Sequence, residues 1–320
     1  FGCYGTLVWT YKGAHRAPPT GYFPAAQAAK PSPPDLSGSL KTGNANFSET
    51  KPRPLFPFQA QTAMNPFTPP PVSGLLPERW QNYASWLDAQ ENPPPFPDGH
   101  PLQGAAQQAA LAADFARCTG TGIADYVRLK RLSHLLRHPP AGGSGKLLWA
   151  ATDSPLGSML AVFSERGLCL LEFPESAGTE RELLAVLAAR SGHLQAGDSP
   201  LVRDTLQQLA AYFSGSLKDF SLPLDPVGTP FQQQVWAELQ RIPYGETRSY
   251  LQQAESLGNA KAVRAVAAAN GQNKISVIIP CHRVIGSSGT LTGYAGGLER
   301  KAWLLAHERR HTAPTGDLFA

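Results

Sequence analysis

At 320 residues the chain has room for two or three domains and a sizeable core, and its net charge of +4 is compatible with a polyanionic partner without singling one out. The four cysteines, Cys3, Cys118, Cys169 and Cys281, are far apart and none has CxxC spacing, which argues against a disulfide framework and against a structural zinc site. No apolar run approaches the roughly 18 residues of a membrane span, so no membrane partner is expected, and scattered thiols suit a reducing, cytoplasmic compartment.

The opening residues, "FGCYGTLVWTYKG", lack the basic start and cleavage pattern of a signal peptide, and the missing initiator methionine is what an N-terminally incomplete chain would show. Most of the 30 prolines fall in residues 1–101, in runs such as "KPSPPDL" and "ENPPPFP". Proline removes a backbone donor and restricts the residue before it. Residues 1–102 are therefore expected to be irregular, disordered or degenerate, apart from a short helix in "PERWQNYASWLDAQ". In residues 103–138 Ala, Leu and Gln dominate, and Thr119-Gly120-Thr121-Gly122 predicts a break between two helices. The second carries Ile123, Tyr126, Val127, Leu129, Leu132, Leu135 and Leu136 at helical spacing, leaving Arg128, Lys130, Arg131 and Arg137 for a solvated basic face. The stretch "DFARCTGTGIADYVRLKRL" also resembles the end of an AraC-type DNA-binding domain, and that resemblance implies a helix-turn-helix remnant.

Residues 139–145, "PPAGGSG", read as a linker, followed by an α/β unit over 146–225. There "KLLWAATDSPLGSMLAVFSERGLCLLEF" alternates apolar runs with turn residues, which predicts three antiparallel strands with Cys169 as core filler. "ERELLAVLAARS" and "SPLVRDTLQQLAAYFSGS" read as amphipathic helices. Residues 226–312 are mostly helical in pattern, and 313–320 form a tail. "TPFQQQVWAELQRI" opens on Thr-Pro, an N-cap followed by proline at the first helical position. "ETRSYLQQAESLG" and "NAKAVRAVAAANG" follow, in an order that suggests a helix-turn-helix or winged helix. In the last of these Ala262, Ala265, Ala267, Ala268 and Ala269 surround a single large cation, Arg264. Such a helix either packs tightly on another or brings its backbone close to a narrow DNA groove, with the arginine entering the space of a displaced base.

"SVIIPCHRVIG" then reads as a strand running into a turn at Pro280-Cys281-His282. Cys281 is open to three readings on these residues: nucleophile, metal ligand, or small buried side chain. A thiol attacks as thiolate, so catalysis needs a base or a positive field nearby and a third group to orient an imidazole. Adjacent side chains on a strand point apart, so Cys281 and His282 would need an irregular turn or a bridging water. Glu308, in "ERKAWLLAHE", is one of few acids available to orient the histidine.

The segments "GTPFQQQVWAELQRIPYGETRSY", "GNAKAVRAVAAANGQN" and "IPCHRVIGSSGTLTGYAGGLERKAWLLAHE" resemble the O6-alkylguanine-DNA alkyltransferase family, over roughly residues 146–310. The resemblance implies an α+β fold: a small ribonuclease H-like α/β subdomain, then a winged-helix or helix-turn-helix-like alkyltransferase domain. It implies that the protein flips a damaged base out of double-stranded DNA and takes the alkyl group of O6-alkylguanine, and of O4-alkylthymine, irreversibly onto Cys281. In that scheme His282 is a water-mediated base polarised by Glu308, Asn273 holds the active-site turn, and Tyr250 rotates the phosphate and delivers a proton to the leaving base. Arg264 fills the base stack from a minor-groove helix with Ala262 and Ala265 on its surface, while Asn259 and Ser287 make lesser DNA contacts. Tyr294, Ala295, Val284 and Pro280 form the base pocket. No cofactor or metal is expected, and the chain is expected to act as a monomer. Adaptive-response regulators join such a unit to an AraC-type module, so an alkylation-responsive transcription regulator is the alternative. Relatives that only mark damage carry tryptophan at the acceptor position, and Cys281 argues against that class.

Overall fold

The computed structural model describes residues 66–312 apart from 103 and 142; the expectations for residues 1–65, Cys3 among them, and for the tail 313–320 fall outside them. Among the described residues no helix is long and apolar enough to cross a membrane.

The fold is α+β and is organised around a four-stranded sheet of order β3-β2-β1-β4. Strands β1 (Gly145–Ser154), β2 (Gly157–Phe163) and β3 (Leu168–Glu172) are antiparallel neighbours, as their alternation and turn residues predict. A fourth strand, β4 (Gly192–Ala196), is absent from the sequence reading and pairs parallel to β1. Successive side chains on a strand face opposite ways, and β2 sorts its residues accordingly. Met159, Ala161 and Phe163 enter one core, while Leu160 and Val162 enter a second core on the other face. A sheet covered on both sides explains why β2 and β3 read as nearly continuous apolar runs. Apart from the small Ala161, each of these buried side chains contributes about 1.5–3 kcal/mol. Cys169 is buried in the second core beside Leu170, the filler role its neighbours suggest.

Helix α1 (Gln81–Ala89) lies where the sequence predicts it, and α2 (Ala105–Thr119) and α3 (Ile123–Arg137) are separated by the Thr-Gly-Thr-Gly break, with Gly120 at φ +74°. Residues 66–77 lack regular structure and Glu78–Trp80 is a short 3-10 turn, but the disorder expected of the proline-rich region does not extend to them. Val72, Leu76 and Trp80 pack with Tyr83 and Leu87 of α1 against Leu111, Phe115, Ile123 and Tyr126. Proline prevents regular hydrogen bonding without preventing the aromatic residues beside it from being buried. The basic face of α3 is not free solvated charge either. Lys130 Nζ donates to the carbonyls of Leu87 at 2.7 Å and Asp88, while Arg131 pairs with Glu180 and donates to the carbonyl of Pro93.

Helices α4 (Thr179–Arg190) and α5 (Pro200–Phe213) complete the sheet unit. Leu183 and Val186 of α4 join Leu132 and Leu136 of α3 in the second core, whereas Leu209 and Tyr212 of α5 belong to the first. Helix α6 (Pro230–Leu239) starts in a capping box between Thr229 and Gln232, and α7 (Tyr250–Ser256) in another between Ser249 and Gln252. A 3-10 turn (Ala260–Ala262) leads into α8 (Val263–Asn270), and α9 (Leu298–Thr312) closes the described chain. Two short strands, β5 (Arg248–Ser249) and β6 (Val284–Ile285), pair in parallel and fix the start of α7 beside the segment that follows Cys281.

Candidate active site

The segment before Cys281 differs from its sequence reading. Residues 276–279 form turns, Cys281–Arg283 is a 3-10 turn, and only Ile275 makes a sheet-like bridge, to Leu171. Strand-like alternation therefore does not separate the side chains of Cys281 and His282. The apolar run "ISVII" imitates a strand because all five residues are buried, and the path is set by polar contacts instead. Asn273 supplies several of them: its Nδ2 donates to the Ile279 carbonyl at 2.8 Å, and its Oδ1 accepts from the Ile275 amide at 3.1 Å. Val277 sits at φ +72°, a strained conformation for a β-branched residue that the surrounding contacts must hold. The edge of the sheet anchors this loop, because the Leu171 amide donates to the Lys274 carbonyl and the Ser276 amide to the Leu171 carbonyl, each at 2.8 Å.

Cys281 is 8% exposed, and its Sγ accepts from Asn273 Nδ2 at 3.3 Å. Burial pushes the thiol up to about 11, against the pull of the Asn273 N–H and of the Lys301 charge. A thiol with that value is almost entirely protonated at neutral pH, so attack requires a base inside the site.

His282 is fully buried, with Nε2 at 2.8 Å from Glu308 Oε1. Glu308 is a hub: it also accepts from Arg283 Nε at 2.9 Å, Arg283 Nη2 at 2.9 Å, the Tyr212 hydroxyl at 2.8 Å and the Gly245 amide at 3.0 Å. Gly245 has φ +81°, which lets its backbone turn into the carboxylate. Burial alone would raise the Glu308 carboxyl; the hydrogen bonds from His282 and Arg283 and the guanidinium charge outweigh it and hold the group well below the usual carboxylate range. A carboxylate accepts and cannot donate, so the Nε2 of His282 carries the hydrogen and Nδ1 keeps its lone pair. That Nδ1 is buried and has no hydrogen-bond partner among the described residues. Burial lowers the affinity of the ring for a second proton, so the resting imidazole is neutral and able to accept one.

Tyr250 stands at the first position of α7, half-buried, and its hydroxyl donates to the Thr292 carbonyl at 3.2 Å. Burial raises its phenol above the ordinary value. A β-carbon on Gly293 would lie 3.2 Å from that hydroxyl, so glycine keeps the approach open. Tyr294 is half-buried in the turn that follows, while Ala295 is exposed. Pro280 is buried behind Cys281, and Val284 lies fully in the first core. On α8, Arg264, Ala265 and Ala268 are exposed, while Val266 and Ala269 face the core; Ala262, in the 3-10 turn before it, is half-buried. Arg264 makes no hydrogen bond or ion pair among the described residues. Asn259 and Ser287 are also exposed, and Asn259 Oδ1 caps the 3-10 turn before α8 by accepting from the Lys261 amide at 3.1 Å.

Sequence reasoning missed Lys301. It is fully buried and donates to the carbonyls of Val284 and Thr292, both at 2.6 Å, and burial lowers its ammonium to about 8. A signal existed: Lys301, Leu304, Leu305 and Glu308 follow the i, i+3, i+4, i+7 pattern of one helix face, and two charges on an apolar face are informative. Arg283 and Tyr212 were also missed, since their shared partner is known only once α5 and α9 are packed together.

Two family models match the chain: the ribonuclease-like domain of 6-O-methylguanine DNA methyltransferase over residues 147–226 and its DNA-binding domain over residues 230–310. A methylated-DNA–protein-cysteine methyltransferase of Methanosarcina barkeri is 45% identical over 159 residues, which is 50% of this chain and 95% of the relative. One of Shigella flexneri is 42% identical over 167 residues, 51% of this chain and 96% of the relative. The crystal structure of Mycobacterium tuberculosis O6-methylguanine methyltransferase aligns with a TM-score of 0.46 at 41% identity, over 53% of this chain and 96% of that one. The chain thus belongs to the methylated-DNA–protein-cysteine methyltransferase family.

Proposed function

We propose that the protein repairs DNA by a single-use reaction in which Cys281 takes the alkyl group from O6-alkylguanine, and from O4-alkylthymine, in a base flipped out of the duplex. The observation that carries this reading is a buried thiol held by Asn273 next to a histidine whose outer nitrogen is fixed on Glu308 and whose inner nitrogen is free. The proton of Cys281 passes through a water to His282 Nδ1, and Glu308 stabilises the imidazolium that forms. Sγ attacks the alkyl carbon, an S–C bond forms, the C–O6 bond breaks, and the electron pair stays on the base. Tyr250 gives the leaving guanine its proton, so that it departs neutral. The thioether has no route back to a thiol, and turnover ends after one event.

The helix-turn-helix-like unit of α7, the 3-10 turn and α8 supports minor-groove docking. Its exposed alanines leave room for close approach, and Arg264 is free to enter the stack. Asn259 and Ser287, both exposed, would meet the backbone beside it, while Tyr294, Ala295, Pro280 and Val284 would wall the flipped base. The protein would act as a monomer inside the cell. The alternative, an alkylation-responsive regulator, has less support. Its reading helix would need a basic surface, and on α3 Lys130 and Arg131 are engaged within the chain.

Incubation with a duplex carrying O6-methylguanine should add one methyl mass to the peptide containing Cys281, at one equivalent per protein, and Cys281→Ser should abolish it. Continuous product release would refute the proposal. Arg264→Ala should slow repair of the duplex by at least about tenfold, the cost of losing help with a base expulsion worth a few kcal/mol. Reaction with free O6-benzylguanine should stay near the wild-type rate, and an equal loss on both substrates would exclude the intercalating role.

A further inference from the structure

We propose that Glu91, His134 and His138 form a binding site for a divalent transition-metal ion, zinc by preference, outside the alkyl-transfer site. The donor atoms of the three side chains all lie within 4.8 Å of one another. His134 and His138 are four residues apart on the last turn and cap of α3, the spacing that places two imidazoles on one helix face for zinc. Glu91, in the segment after α1, brings its Oε2 to 3.7 Å from His134 Nδ1 and 4.0 Å from His138 Nε2. Both distances exceed hydrogen-bond length, so the carboxylate is bonded to neither ring. Donor atoms around a tetrahedral zinc stand roughly 3.4 Å apart, so small side-chain rotations close the triad on an ion and leave a fourth position for water.

Further observations favour an ion over a loose ion pair. His134 Nδ1 is buried without a hydrogen-bond partner, which costs stability unless something binds it. The ring centroids of the two histidines are 4.8 Å apart, so the rings already share a side. A second pair with the same spacing, His307 and His311 on α9, behaves differently. There His307 Nε2 lies 2.8 Å from the Tyr212 carbonyl and His311 Nδ1 lies 2.8 Å from the His307 carbonyl, so those nitrogens are spent on the backbone. The site also lies at the C-terminal end of α3, where unpaired carbonyls favour a cation. Neighbouring cations are directed elsewhere: Lys130 onto the Leu87 carbonyl and Arg137 Nε back onto the Ser133 carbonyl. The expectation of no metal rested on cysteine spacing and on what the family resemblance implies, and neither could include this triad, because folding alone brings Glu91 to α3. A bound ion would clip the segment after α1 to α3, in a layer that neither family model covers.

Calorimetric titration of the full chain with zinc chloride tests the site. Wild-type protein should bind one zinc here, and His138→Ala or Glu91→Gln should weaken that binding at least about tenfold. His311→Ala should leave it unchanged. Zinc should raise the melting temperature of the wild type and not that of His138→Ala. Methyl transfer to Cys281 by each variant reports that it is folded. Glu91 is 66% exposed, so its substitution leaves packing intact even if His138→Ala does not fold. Equal zinc binding by wild type and Glu91→Gln, or no binding by the wild type, would overturn the proposal.

Discussion

Replacing Glu308 with alanine should lower the folding stability at neutral pH by about 3–5 kcal/mol, the usual loss when one partner of a buried charge pair is removed. The carboxylate is fully buried, and Arg283, 7% exposed, would be left with an uncompensated charge beside an unpaired Tyr212 hydroxyl and Gly245 amide. Arg283 Nη1 would keep its bond to the Ile242 carbonyl, so the charge could not leave the core without pulling on that backbone. Urea denaturation at pH 7 measures the loss, and a change below about 1 kcal/mol would mean that water reaches the hub and screens it. The pH dependence follows from the direction of the shift. A carboxyl held below its ordinary value of 4.5 contributes stability above that pH and loses it as the pH falls further. His282, lowered from 6.5 by burial, adds a loss of the same sign as the pH falls below its ordinary value. Glu308→Gln should therefore lose less stability than the wild type as the pH falls below about 4.5, because that proton-binding difference is gone.

Much of this hub was legible before folding, and the illegible part has a common cause. Cys281, His282, Asn273 and Glu308 could be named because the resemblance covers their motifs. The three antiparallel strands were legible because alternation and turn residues are local signals. Strand β4, "GHLQA", was not: it is five residues long and exists through parallel pairing with β1, whose register the intervening helix determines. The loop before Cys281 misled for the opposite reason. Its apolar run carries a strong local signal, but Asn273 and the edge of β3 impose turns on it. Proline in residues 66–80 likewise reported the absence of regular structure and said nothing about burial, which Val72 and Leu76 gain from α1 and α2. Where the backbone is strained, as at Val277, local pattern is the weaker guide.

His282→Gln should slow alkyl transfer from free O6-benzylguanine at pH 7 by about 10²–10⁴-fold, the usual contribution of a positioned general base. Glutamine retains an N–H able to reach Glu308, so the hub survives and the loss reports on Nδ1 alone. The pH profile then separates chemistry from structure. With burial holding the thiol near 11, the variant has only hydroxide to remove its proton, and its rate should climb about tenfold per pH unit between 7 and 9. The wild type should be much flatter over the same range. With His282 as the proposed base, a neutral imidazole already lowered from 6.5, raising the pH adds little more of the competent form. Parallel profiles for the two proteins would mean that the thiolate forms without His282. The positive field of Lys301, which with the Asn273 N–H pulls the thiol down, would then have to account for it. Lys301→Met should in that case abolish transfer in both backgrounds, whereas a histidine-driven ionisation should leave measurable transfer in Lys301→Met that still depends on His282.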